Sequence, residues 1–126
     1  MSDAATLDHG WLDETVRPRL AGDAEVRRAG RTFSGVIGLG VDRRTHALVF
    51  HAGELIAVDR GPGLRGPTFT VRAAAPVWQA ILSAPRNLFL RHFHAGEVQV
   101  EGDVIEFLRL TELVLLIIDG LRGREP

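Results

Sequence analysis

The chain has 126 residues, 45% of them hydrophobic and 25% charged, with a net charge of −1 and no cysteine. That size and balance suit one globular domain with a real core. They argue against a disordered chain, a disulfide scaffold, thiolate chemistry and a strongly basic nucleic-acid binder. All 15 basic residues are arginine, which points to GC-rich coding and a bacterial source. The start, MSDAATLDHGW, lacks the basic-then-apolar order of a signal peptide. The longest apolar run, Leu113 to Ile118, is far below the ~18 residues that span a bilayer. A soluble, cytoplasmic protein is expected.

Residues 8–29 read as a broken helix. Trp11, Leu12, Val16 and Leu20 fall near helical spacing, Pro18 interrupts, Asp23 is a candidate N-cap and Gly30 ends the segment. From Arg31 the period becomes two: Phe33, Gly35, Ile37 and Leu39 alternate with Ser34, Val36 and Gly38. The glycines there suggest a bulge or close backbone approach. After a polar turn at 42–45, His46–Phe50 and Glu54–Val58 form a hairpin about His51-Ala52-Gly53. Asp59–Pro67, DRGPGLRGP, is a loop, and Thr68–Arg72 a fourth strand.

Pro76–Ser83 is a short helix with Val77, Trp78, Ile81 and Leu82 on its apolar face; Pro85 breaks it and Asn87–His94 restarts. Glu97–Glu101 alternates as a fifth strand. Gly102-Asp103 turns the chain, and Asp103 caps one long helix, Val104–Ile118, with Glu106 at capping-box spacing. That helix is apolar on more than one stripe, so sheet, helices, a partner subunit or an apolar ligand must cover it. Strands that run together and helices that segregate define an α+β class with a mainly antiparallel sheet.

The pentapeptide FHAGE occurs twice, at 50–54 and 93–97. The first copy crosses a hairpin turn and the second ends a helix, so the repeat reads as turn chemistry used twice. His92 and His94 form H-x-H and His51 could approach them, but at a helix end an i, i+2 pair does not share a face. No metal or cofactor is expected, and a small metal-dependent enzyme using His51, His92 and His94 is the least favoured alternative. None of Ser2, Ser34 and Ser83 lies in a nucleophile elbow, and GVIGLG at 35–40 lacks the lysine and glycine order of a phosphate loop. No enzyme is expected.

The stretch HAGEVQVEGDVIEFLRLTELVLLI resembles the sterol-carrier-protein lipid-transfer family: a glycine (Gly96), an alternating strand (Val98, Val100), a second glycine followed by Asp (Gly102-Asp103), then an apolar helix. Upstream, PTFTVRAAAPVWQAILSAP looks like the family's strand leading into a short helix. The resemblance implies a five-stranded sheet covered by helices and enclosing an apolar tunnel, in one domain with a helical segment at 1–30, a core at 31–118 and a tail at 119–126. It implies non-catalytic binding or transfer of a sterol, fatty acyl chain or phospholipid. Trp78, Ile81, Leu82, Leu88, Phe89, Phe93, Val98, Val100, Ile105, Leu108, Leu113, Leu116 and Ile117 are the candidate lining, and Arg86, Arg91 and Arg109 the candidates for a head group. The expected partner is a lipid or other apolar small molecule, not nucleic acid. Transient membrane contact or a homodimer are further options, and the alternative reading makes Leu113–Ile118 a protein interface with no ligand.

Overall fold

The computed structural model describes residues 7–60 and 66–123. Asp8 caps α1 (His9–Trp11) by accepting from the Trp11 N–H at 3.1 Å. A π-helical turn, Leu12–Val16, joins it to α2 (Arg17–Ala21). The helix therefore runs through Pro18 instead of stopping there. The wider turn immediately before the proline rearranges the carbonyls that a regular helix would drive into its ring. Asp23 caps α3 (Ala24–Ala29) through the N–H groups of Glu25 and Val26, and Gly30 ends it.

The sheet contains β1 (Gly35–Val41), β2 (Arg44–His51), β3 (Glu54–Arg60), β4 (Phe69–Ala73) and β5 (Gln99–Gly102), in the order β3-β2-β1-β4-β5. All pairs are antiparallel except β1 with β4, which are parallel. Within the expected loop 59–67, Asp59 and Arg60 continue β3, whereas 61–65 lie outside the described residues. Register places Ile37 opposite Leu48 and Phe69, and Leu39 opposite Val71. These buried side chains form one face of the sheet, over which the helices pack.

The opposite face explains Gly38 and Gly40 of β1, where an added Cβ would run into Thr70 Oγ1 or Arg72. Arg72 lies flat across Gly40, where a Cβ would stand 2.7 Å from its guanidinium carbon. Its guanidinium donates to Asp42 O, Arg44 O and Thr45 Oγ1, and to Glu101 Oε2 at 2.8 Å. One arginine thus ties β4 to the β1–β2 turn and to β5, and it needs a bare strand beneath it. GVIGLG is a strand whose glycines serve close approach.

Beyond the sheet lie α4 (Ala75–Ser83), α5 (Phe89–His94), α6 (Val104–Arg109) and α7 (Thr111–Arg122). The expected single helix over 104–118 is two helices broken at Leu110, with φ −103° and ψ 23°. The Thr111 hydroxyl, which donates to the carbonyls of Leu108 (2.9 Å) and Phe107 (3.2 Å), offers the backbone a local alternative to the helical ladder. The expected tail from 119 is the end of α7. Leu121 is buried, and Gly123, at φ +67°, closes the helix.

Candidate ligand-binding site

Of the thirteen apolar candidates, Trp78, Ile81, Leu82, Phe89, Val98, Leu113 and Ile117 are buried in the core between helices and sheet. Trp78 donates its indole N–H to Gly40 O at 2.8 Å. Leu88, Phe93, Val100 and Leu116 are half-buried. The remaining two do not line an interior: Ile105 is 75% exposed and Leu108 57%, with Val104 beside them at 46%. The buried stripe runs on through Leu110 at helical spacing, Phe107, Leu110, Val114, Ile117 and Leu121, and Ile105 and Leu108 lie on the opposite side of α6.

The burial of α7 bears on the interface reading as well. Leu113, Val114, Ile117 and Ile118 face the chain's own core, against which Leu115 and Leu116 are half-buried. Apart from Ile56 on β3, the large exposed apolar side chains among the described residues belong to α6. They adjoin an aromatic cluster: Phe107 packs edge-on to Phe69 (centroids 5.7 Å apart) and against Phe93 of α5 (5.3 Å). Phe93 and Val100 stand where α5, α6 and the edge strand β5 come together.

Among the arginine candidates, Arg109 is engaged. It donates to both carboxylate oxygens of Glu106 (2.9 and 2.6 Å) and to Thr32 Oγ1. Those bonds hold the Glu106 carboxyl below the usual range. Arg86 and Arg91 are exposed. A residue that pattern reading passed over fixes the α4–α5 link. Asn87 donates to Leu115 O (3.0 Å) and Asp119 Oδ1 (3.2 Å) and accepts from the Phe89 N–H, docking the link on α7.

Both FHAGE glycines lie in the left-handed region, Gly53 at φ +85° and Gly96 at φ +81°. The repeat is turn chemistry in two settings. His92 pairs with Glu97 (Nδ1 to Oε1, 2.6 Å), and among the described residues no three metal-ligating side chains gather. No described helix is long and apolar enough to cross a membrane.

Surface clefts among the described residues include two that bear on function. One, of about 600 Å³, lies at the outer face of β1 and β2, lined by residues such as Val36, Val49 and Pro67. The other, of about 570 Å³, lies where α1 meets the ends of β2 and β3, between His9, His46 and three arginines. His46 is only 6% exposed, and burial, reinforced by Arg44, His9 and Arg60 against Asp8, holds its imidazole below the ordinary value of 6.5. The unfolded chain therefore binds the extra proton first, so this contribution to stability is full above 6.5 and declines as pH falls below it. Urea unfolding at about pH 7.5 and about pH 5 should show a smaller acid loss in His46→Leu than in the parent; an unchanged loss would assign it to other groups.

No protein-family model and no curated protein sequence matches the chain. Solved structures do. A conserved hypothetical protein of Thermus thermophilus, described as possibly a sterol carrier protein, superposes with a TM-score of 0.78 at 16% identity, over 98% of this chain and 92% of its own. A crystal structure of sterol carrier protein 2 gives 0.78 at 16% identity, covering 94% of this chain and 98% of that one. Palmitated SCP2L2 of Aedes aegypti gives 0.54 at 20% identity, over 80% and 92%. The chain has the sterol-carrier fold.

Proposed function

We propose that the chain is a non-catalytic binder of an apolar, chain-bearing ligand, of the fatty acyl or sterol class, taken up between α5, α6 and the edge strand β5. The observation that carries this reading is the exposed apolar ridge of Val104, Ile105 and Leu108, on the same short helix as Phe107 and its partner Phe93. A contiguous apolar patch on a small protein usually has an occupant. The palmitated relative of the same fold supports a hydrocarbon chain as that occupant. Half-buried Leu88, Phe93, Val100 and Leu116 would meet the ligand first. Fully buried Trp78, Phe89 and Leu113 would line its path only when the helices part from the sheet. Storage, transfer and presentation to an enzyme all use this same uptake.

A fluorescent fatty acid titrated into the full chain should bind one to one. The double variant Ile105→Glu/Leu108→Glu should weaken binding about tenfold or more, since each change removes an apolar contact of about 1–2 kcal/mol. Its melting temperature should stay near the parent's, because both side chains are exposed. No binding by the parent, or equal binding by the variant, would defeat the reading. The same ridge also suits a homodimer. Sedimentation equilibrium separates the two, since a parent dimer that dissociates in the double variant, with no fatty acid bound, would assign the ridge to a second copy.

A further inference from the structure

The cleft at the opposite edge of the sheet has different chemistry. Hairpin register places Arg44 opposite Val41, and His46 opposite Leu39 and Arg60, so Arg44, His46 and Arg60 project on the helix-covered face where β2 and β3 leave the core. Arg43 adds a third guanidinium from the β1–β2 turn, and His9 faces them from α1. None of the three arginines has an acidic partner among the described residues, in contrast to Arg28, Arg72 and Arg109, each of which is paired. The acid in the cleft, Asp8, is occupied as the cap of α1.

His46 makes this more than a basic patch. It is over nine-tenths buried, yet neither ring nitrogen has a hydrogen-bond partner among the described residues, and buried Nδ1 of His9 has none either. Buried polar groups without partners cost free energy and are uncommon. A cation would not supply the partner, because three guanidiniums repel it. An oxyanion would, since it accepts from guanidinium and imidazole together. Three positive charges against the single negative charge of Asp8 leave an excess of two, which matches the charge of about −2 on a phosphate monoester near neutral pH.

We propose that this cleft is a phosphate-monoester site, in which Arg43, Arg44 and Arg60 hold the phosphate oxygens and His46 completes the set as a donor from the buried side. This does not rest on the lipid reading, and the ridge on α6 takes no part in it. The phosphate could belong to a soluble metabolite or to a lipid head group.

The test is an NMR titration of the full chain with inorganic phosphate at low ionic strength, following arginine Nε and histidine ring signals. The expected result is saturable binding with a dissociation constant of about 1 mM or tighter. The largest shifts should fall on Arg43, Arg44, Arg60 and His46, and the His46 ring should move toward the imidazolium form. Arg44→Gln and Arg60→Gln should each weaken binding about tenfold, with unchanged amide spectra elsewhere reporting an intact fold. Flotation with phosphatidylcholine vesicles, with and without about a fifth phosphatidic acid, then separates the sources. Capture only by the acidic vesicles, lost in the same variants and competed by free phosphate, identifies a head group. Saturable phosphate binding without vesicle capture identifies a soluble phosphomonoester. Shifts that stay linear in phosphate with no vesicle capture, or binding equal in parent and variants, overturn the proposal.

Discussion

Trp78→Ala should destabilise the chain by about 4–5 kcal/mol, the upper end of the range for emptying an aromatic site in a packed core. Trp78 is fully buried. Its α4 position lets the indole donate to Gly40 O at 2.8 Å, so truncation leaves a cavity and also strips a buried carbonyl of a partner. Measured against a typical total stability of about 5–15 kcal/mol, such a loss brings the chain near unfolding at ambient temperature. Trp78→Phe separates the two contributions: it keeps most of the volume and removes the bond, at an expected cost of about 1–2 kcal/mol. Urea unfolding checks both. An alanine variant within about 1 kcal/mol of the parent would mean that the site collapses freely and that Trp78 is no cornerstone of the core.

Gly53→Ala should cost about 3–4 kcal/mol, whereas Gly96→Ala, in the other copy of FHAGE, should cost only about 1 kcal/mol. Both glycines have left-handed backbones, and that part of the penalty is shared. Their surroundings are not. A Cβ at Gly96 meets nothing within 4 Å, but at Gly53 it would stand 2.5 Å from Arg27 O, 2.8 Å from the Gly30 carbonyl carbon and 3.0 Å from Arg31 N. These atoms are backbone, at the end of α3 and in the chain leading to β1, and cannot swing aside as a side chain does. Relief requires the β2–β3 hairpin to lift from α3, at the expense of the Gly53 N–H bond to Phe33 O at 3.1 Å. Paired urea curves decide the matter; equal losses would show that turn conformation alone governs both positions.

Much of the architecture is written in local pattern. The alternating strand, though it starts at Gly35 and not before, the Ala52-Gly53 turn, the Asp23 and Asp103 caps and the proline-started α4 all appear where elementary rules place them. Each rests on a few adjacent residues whose backbone preferences or spacing suffice. The glycine, strand, Gly-Asp and helix order over 96–110 likewise points to the sterol-carrier fold that superposition bears out. The alternation of β2 and β3 also carried an unused signal: once paired, the hairpin necessarily brings Arg44, His46 and Arg60 to one face.

Tertiary structure decided what periodicity could not. Over 104–118 nearly every position is apolar, so the pattern alone does not say which stripe is covered; packing buries Phe107, Leu110, Val114 and Ile117 and leaves Ile105 and Leu108 wet. The passage of the first helix through Pro18 depends on a π-helical turn favoured by burial of Leu12 and Val16. The basic cleft joins residues from position 8 to position 60, a conjunction that exists only after α1 has docked on the sheet. Local sequence determines elements because a turn or a cap is an energy between near neighbours. Exposure and juxtaposition are energies of packing between distant ones, and only the assembled fold sets them.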